Sequence, residues 1–452
     1  MSILGLLHGP DKTVPTPAED WRKATVDVVI PAFNEEHNIV LCLSSLAHQT
    51  RRPRRIVLID DGSSDNTVAV ARTFSELNGM DLTIIHREKS IGKTPTIKRQ
   101  ARESETTLPD VEFVLDGDTI LESENYIERT VQELYKAVGI ASACGTILPL
   151  RDRDRRQALL MMPSLQKFFT AFPNASLYPE GGWFRRSQRA ATNLYRDALY
   201  LFLQRFVYHG QMVFFGSITN PVGCAVAYRR RYLQELFDKY EPIFGDDLTN
   251  SEDIFIGFAM LNKGYRNIQL TDVYARSEEP EAGHLPQQIY LWSSSFLQCC
   301  YYFDNLLRSP FKALKRYAHN RRAEREFGTV IKEKRHISEP YRQAFGEGYT
   351  QEYGRPIGWV LLMSATEKIF FPFFLLAMII LRLWEPLAIT AVAETILSVG
   401  ILTFIAKGRR FECLLKGIMV TPMRYMSLLY DLVTIGRFSV DLWITRNRRW
   451  RK

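Results

Sequence analysis

The chain has 452 residues, too many for one ordinary domain and ample for a sizeable core. A hydrophobic content of 46% excludes a largely disordered protein, and 58 Lys+Arg against 50 Asp+Glu leaves a modest excess of +8, whose location matters more than its size. Six cysteines (Cys42, Cys144, Cys224, Cys299, Cys300, Cys413) show no CxxC spacing, which argues against a disulfide framework or a structural zinc and for reduced thiols.

The first 21 residues, "MSILGLLHGPDKTVPTPAEDW", hold a short apolar patch but not the basic-then-apolar order of a signal peptide. The large N-terminal portion is therefore expected to stay in the cytoplasm. "VDVVIPAF" (26–33) reads as a β-branched strand, after which Asn34 can cap a helix with Ile39, Leu43 and Leu46 on one face. "RRIVLIDD" (54–61), "LTIIHRE" (82–88) and "VEFVLDGD" (111–118) are further strands, separated by turn-to-helix passages. In the second of these, Thr94 is a cap and Pro95 the first helical residue. Val/Ile/Leu-rich strands alternating with helices imply an α/β fold with a mainly parallel sheet covered on both faces. Ligands of such sheets sit beyond the carboxyl ends of the strands, which here carry "FNEE", "IDDGSSD" and "LDGDT".

Asp60 and Asp61 suit either an Asp–Gly turn or acceptance of hydrogen bonds from a nucleobase, with Glu35 nearby. In "DGD" (116–118) two carboxylates two apart on an extended segment point the same way, which suits a hard divalent cation bridging to a diphosphate. Residues 151–206, rich in Arg, Phe, Tyr and Leu, are too long for a simple connection. Leu194, Leu199 and Leu203 fall at helical spacing there, in an insertion that meets a membrane surface or partner, or else covers the sheet. "YEPIFGDDLTNSEDIFIGFAMLNKGY" (240–265) then crowds Asp246, Asp247, Glu252 and Asp253 ahead of an apolar helical run. A helix cap, a metal site and a catalytic base all fit that pattern.

The C-terminal quarter is a different material. "IFFPFFLLAMIILRLW" (369–384) and "PLAITAVAETILSVGILTFIA" (386–406) are apolar runs near the ~20 residues that cross a bilayer. The upstream "IGWVLLMSA" (357–365) reads as interfacial or as an extension of a tilted span. Basic residues crowd between Arg308 and Arg335, follow the second run, and end the chain as "TRNRRWRK". That distribution fits a multi-pass hairpin in the cell membrane with both termini and the large domain on the cytoplasmic side. Because the basic stretches track the apolar runs, no nucleic-acid partner is expected. Residues 411–443 read as amphipathic helices on the leaflet surface, and Glu394, mid-span, requires a polar neighbour.

Together, "VIPAFNEEHNI", "VLIDDGSSDNT", "GKTPTIKRQA" and "FVLDGDT" resemble, in order and spacing, the family 2 glycosyltransferases. The resemblance extends over roughly residues 26 to 300. It implies a GT-A nucleotide-sugar domain and a nucleotide diphospho-sugar donor, with UDP first by analogy. On that likeness Asp60, Asp61 and Glu35 hold the base, Lys93 lies near the donor, Asp116 contacts the nucleotide, and Asp118 ligates Mg or Mn. "NPVGCAVAYRR" (220–230) looks like the small-residue turn lining the acceptor site of the cellulose, chitin and hyaluronan synthases, which assigns Gly223 and Cys224. "QIYLW" (288–292) resembles their Gln-x-x-Arg-Trp motif, with Gln288 near the diphosphate and Trp292 a platform for the acceptor sugar. The departure is Leu291 in place of Arg, which removes one cation from the diphosphate clamp.

The same subgroup sets its catalytic Asp at the start of a helix closed by a Gly-aromatic pair. Asp253, eleven positions before Gly264–Tyr265, is accordingly the base, with Glu252 beside the acceptor; Asp247 is the runner-up. The helix N-terminus is expected to keep Asp253 ionised, and His284 to sit near phosphate or in an exposed loop. Inverting transfer to a growing polysaccharide follows, with a single addition to a lipid-linked acceptor as the alternative. Two spans make a thin channel wall, so export implies a homo-oligomer or a partner. The expected organisation is an N-terminal segment (1–25), a GT-A domain (26–306) carrying the 151–206 insertion, and a basic linker (307–356). A transmembrane hairpin (357–410) and interfacial helices with a basic tail (411–452) complete it.

Overall fold

The computed structural model describes residues 20–102, 108–137, 139–178, 182–244, 251–327, 346–406 and 408–445. Its centre is an eight-stranded sheet in the order β3-β2-β1-β4-β7-β6-β8-β5. The strands are β1 (Val26–Ala32), β2 (Arg55–Asp60), β3 (Leu82–His86), β4 (Val111–Leu115), β5 (Thr119–Leu121), β6 (Ile140–Pro149), β7 (Ala225–Arg229) and β8 (Arg266–Ser277). The first four pair in parallel, as do β6 and β8, while β7 runs antiparallel between β4 and β6 and β5 antiparallel to β8.

Both faces are covered, as the unbroken apolar strands require. Along β4, Phe113 and Leu115 enter the cluster beneath helix α1 (Ile39–Ala47), whereas Val114 faces the opposite cluster. That is the period-two alternation of a pleated strand. Helix α1 is buried from Ile39 to Leu46, each large apolar side chain contributing about 1.5–3 kcal/mol. Helices α2 (Thr67–Asn78), α3 (Lys93–Arg102) and α4 (Tyr126–Leu134) complete the first half.

Three local expectations change. Asn34 does not cap α1, which starts at Ile39 behind Asn38. With φ of 59°, Asn34 instead receives the Ser64 amide on its Oδ1 at 2.8 Å and donates its own amide to Ser63 Oγ at 2.8 Å, tying the first two strand-end loops together. Helix α3 begins at Lys93, so Thr94 and Pro95 lie inside its first turn. The 111–118 segment is not one extended strand, because β4 stops at Leu115 and the Thr119 amide closes a turn on Asp116 O at 2.9 Å.

The insertion is helical: α5 (Asp152–Met161), α6 (Pro163–Ala171) and α7 (Trp183–Phe202), with Leu203 starting a wider turn. Helix α7 packs on β6 and on the C-terminal helices. Helices α8 (Arg230–Phe244) and α9 (Glu252–Lys263) pack on β7 and β8, and α10 (Leu285–Tyr302) packs on α9.

Downstream, residues 357–365 join the next apolar run in one helix, α11 (Gly358–Ile380), followed by α12 (Trp384–Ile405). Both are long and apolar enough to cross a membrane. The 411–443 stretch forms one 30-residue helix, α13 (Arg410–Ser439), rather than several. Glu394 meets its polar neighbours there, accepting from Arg424 and from Tyr425 Oη (2.8 Å). Lys368 of α11 pairs with Asp431 of α13 at 2.8 Å, and Asp431 accepts from Ser293 Oγ of α10 at 2.8 Å, so the apolar hairpin is pinned to the sheet domain. The Gly245-Asp246-Asp247 stretch, much of the basic linker and the tail from 446 lie outside the described residues.

Candidate active site

Three polar loops meet beyond the carboxyl ends of β1, β2 and β4. Asp60 is buried and receives the His86 ring N–H at 2.6 Å. Asp61 accepts from Ser90 Oγ (2.6 Å), the amides of Ile91 (3.0 Å) and Gly92 (2.8 Å), and Arg87 (3.3 Å). Burial raises its pKa, but these four donors outweigh it and hold the carboxyl below the usual range. Asp61 thereby moulds residues 87–92 into a loop at the mouth, and Gly62, at φ 86° with a Cβ position only 3.2 Å from the Ser90 amide nitrogen, lets that loop close.

The Asp116–Asp118 turn is the most acidic point. Glu35 lies over it, close to Gly117, rather than beside Asp60 and Asp61. Asn38 Nδ2 bridges Glu35 (2.7 Å) and Glu278 (2.5 Å), and Glu278 donates its amide to Asp118 O at 3.2 Å. Asp118 accepts from Thr119 Oγ1 at 3.0 Å and Ser277 Oγ at 3.3 Å. Burial first, then the neighbouring Asp116, pushes Asp118 up to about 7; burial and then Asp118 push Glu35 up to about 9. Such crowding is what a cation relieves. Among the described residues no three His, Cys, Asp or Glu side chains converge as a self-contained metal site. The donor set suits a hard cation that takes one or two carboxylates and completes its shell with phosphate oxygens.

Lys93 ties this turn to the second half of the domain. Its Nζ lies 2.8 Å from Asp116, 2.7 Å from Glu252 and 3.3 Å from Gly223 O. Burial works against its charge, but Asp116 and Glu252 raise its pKa well above the ordinary value. The Asp116 amide in turn donates to Cys224 O at 2.9 Å. Asp253, at the N-terminus of α9, accepts from Ser251 Oγ (2.5 Å), the Ile254 amide (2.8 Å) and the Gly223 amide (3.2 Å). A Cβ on Gly223 would stand 2.8 Å from the Asp253 Cβ, so only glycine permits this approach. The helix N-terminus does not dominate Asp253. Burial and then Glu252 raise it to about 6, against the pull of Ser251, Lys93 and the Ile254 amide, which leaves it mostly ionised at pH 7.

Gln288 and Trp292 sit together on α10, and one guanidinium from the insertion meets both. Arg196 of α7 donates to Gln288 and lies 4.4 Å over the Trp292 ring. Its buried partner Glu279, at 3.2 Å, is raised to about 7 by burial. His284 is exposed at the end of a short turn. Sequence reasoning missed Glu278, Glu279, Arg155 and Arg196. The signal for the first two was present: "SEE" closes β8 with an acid pair, as "DD" closes β2.

Residues 27–237 match the family model described as Glycosyl transferase family 2. The chain carries a family 2 glycosyltransferase domain. Over 276 residues it is 23% identical to an N-acetylglucosaminyltransferase of Azorhizobium caulinodans, covering 60% of this chain and 59% of that protein. Over 313 residues it is 25% identical to an N-acetylglucosaminyltransferase of Rhizobium leguminosarum bv. viciae, covering 67% of this chain and 62% of that one. The chain thus spans about 60% of the length of these curated relatives. The fold is GT-A. A mannosyltransferase from Pyrobaculum calidifontis, solved with GDP-mannose and Mn2+, aligns over 98% of this chain and 92% of its own with a TM-score of 0.50 at 14% identity. The glycosyltransferase domain contributes β1 to β4, the Asp116–Asp118 turn and β7, while α9 and α10 lie beyond the matched residues.

Proposed function

We propose that this protein is an inverting, metal-dependent glycosyltransferase moving a sugar from a nucleotide diphospho-sugar, UDP-linked in the first instance, to an acceptor at the cytoplasmic face of a membrane. The observation that carries the reading is the Lys93 bridge. One ammonium group holds the Asp116 turn against Glu252, next to Asp253, so residues far apart in sequence face one mouth. Asp60, Asp61 and Asp116 would receive the nucleotide, and Asp118, with Glu35 and Glu278 alongside, would hold Mg or Mn. The chemistry that ion supplies when bound is charge compensation on the departing diphosphate.

Asp253 takes the proton of the acceptor hydroxyl as it attacks the anomeric carbon. Ser251 and the Gly223 amide fix its carboxylate. Lys93 neutralises its neighbour Glu252 and so favours the ionised base. Gln288 and Trp292, held by Arg196, offer a polar contact and a flat apolar face to the acceptor.

The acceptor is a growing polysaccharide on the synthase likeness, or a lipid-linked molecule receiving a single sugar. One observation favours the latter: Leu291 stands where the synthase likeness expects an arginine, and the nearby Arg196 is already paired with the buried Glu279. The test is nucleotide diphosphate release by the detergent-solubilised protein with Mg or Mn and a panel of nucleotide sugars, with products sized. Metal-dependent release that disappears in Asp253→Asn supports the proposal. Equal release in both proteins would sink it.

A further inference from the structure

Gln288 and Trp292 stand one turn apart on α10 and so share a face of that helix. Arg196 of α7 meets both, donating to Gln288 Oε1 and lying 4.4 Å over the Trp292 ring. Its Nε is 3.2 Å from Glu279, just past the end of β8. Arg196 is 1% exposed and Glu279 5%. Two buried ions gain little stability over two apolar side chains of similar volume, because each gives up its hydration. What this pair supplies is direction.

An arginine head group has N–H donors and no acceptor. The Gln288 atom facing Arg196 is therefore its carbonyl oxygen, and the amide NH2 is turned away from the guanidinium. Among the described residues that NH2 has no acceptor. The planar guanidinium fixes the arrangement: its edge contacts Glu279 and Gln288, which leaves its face for the indole. A lysine ammonium, a point charge on a flexible stem, does not meet all three at once.

Location decides what the free NH2 meets. Glu278, next to Glu279, gives its amide to Asp118 O at 3.2 Å, so the ion pair stands beside the Asp116–Asp118 turn. Further along α10, Ser295 Oγ donates to Ser251 O at 3.3 Å, and Ser251 in turn fixes Asp253. Gln288 thus belongs to a helix tied to the metal turn at one end and to the base at the other. Between those two lies the bond that transfer breaks. We infer that Arg196, oriented by Glu279, is a positioning residue that turns the Gln288 NH2 toward the β-phosphate of the nucleotide diphospho-sugar, the phosphate that leaves the anomeric carbon and lies nearest the acceptor. This rests on the proposed transferase reading and adds a neutral donor to its diphosphate site.

The test measures binding of UDP and of GDP, each with Mn, to the full chain in detergent, and of the monophosphate matching whichever binds. Arg196→Lys keeps a charge beside Glu279 but loses the planar fork. It is compared with Gln288→Ala and with the double variant. Loss of one hydrogen bond to a charged oxygen predicts a roughly tenfold fall in diphosphate affinity in each single variant. Monophosphate affinity should be unchanged, since it lacks the β-phosphate. The double variant should lose no more than Gln288→Ala alone, because Arg196 acts through Gln288. Should Arg196→Lys not fold, Glu279→Gln takes its place, with a loss in the same direction. Equal falls for diphosphate and monophosphate would reduce Arg196 to a structural role, and additive losses would give it a contact of its own; either overturns the inference. Wild type that binds neither diphosphate strikes the transferase reading, and this inference with it, whereas wild-type binding that no variant alters strikes the inference alone.

Discussion

The sheet end and the apolar hairpin solve opposite problems with the same residue types. At the mouth, charged side chains are drawn inward: Asp60 is fully buried, Arg155 and Arg196 nearly so, and each meets an opposite charge or several donors. In α11 and α12 the large apolar groups face outward, with Phe370 at 67% and Ile389 at 68% exposure, and the polar groups pair inward on α13. These two consecutive helices, of 23 and 22 residues, are long and apolar enough to cross a membrane. The difference teaches that polarity at the mouth is held for chemistry, whereas polarity in the hairpin is held for helix docking. Substitutions should therefore cut activity in the first region and stability in the second.

The largest effect is expected from Asp253→Asn. Losing a positioned base costs typically 10²–10⁴-fold in rate, and we expect about 10³-fold in kcat with an unchanged thermal midpoint, since Asn keeps the volume. Retained activity would return the role to another carboxylate, Asp247 first. Next comes Gly223→Ala. Its methyl group would press on Asp253 at 2.8 Å, and a displacement of about 1 Å can cost 10²-fold. A kcat loss of roughly 10- to 100-fold should appear with donor KM little changed. Steady-state kinetics on both variants tests whether activity alone responds at the mouth.

The pH profile gives a smaller effect. The base works only when ionised, and burial raises Asp253 to about 6. The rate kcat/KM should therefore be flat above that value and fall about tenfold per pH unit below it. A limb near pH 4 instead would mean that the helix N-terminus outweighs burial after all.

How far the sequence discloses this molecule follows from the range of each interaction. The parallel strands were legible because their apolar runs alternate with amphipathic helices, and the polar strand ends because sheet topology fixes which edge they share. The turn at Asp116–Asp118 was not, since a strand and a turn differ there by one amide bonding back on Asp116. Arg196 was out of reach for a stronger reason. Its place over Trp292, 96 positions later (292 − 196), depends on where the insertion docks, and no local pattern encodes that. Asp253 is mostly ionised at pH 7 as expected, but its upward shift was not legible: the helix end is visible in sequence, the burial is not.

The smallest effect sharpens the other side of the comparison. Glu394 of α12 accepts hydrogen bonds from Arg424 and Tyr425 of α13. If polarity in the hairpin serves docking, Arg424→Leu should destabilise, because it leaves Glu394 without its cation, and so should Glu394→Leu for the converse reason. The double variant should recover part of the loss, since two well-packed leucines leave no unpaired charge. Coupling across membrane helices averages about 0.6 kcal/mol and reaches roughly 1.7, so the cycle is read by thermal unfolding of all four proteins in one detergent. Sugar transfer per folded molecule should stay constant throughout. Additive losses would mean that α13 is held by its apolar face and by the Lys368–Asp431 pair instead. A fall in transfer rate without a fall in stability would break the division between the two regions, because the hairpin would then be setting the geometry at the mouth through Asp431 and Ser293.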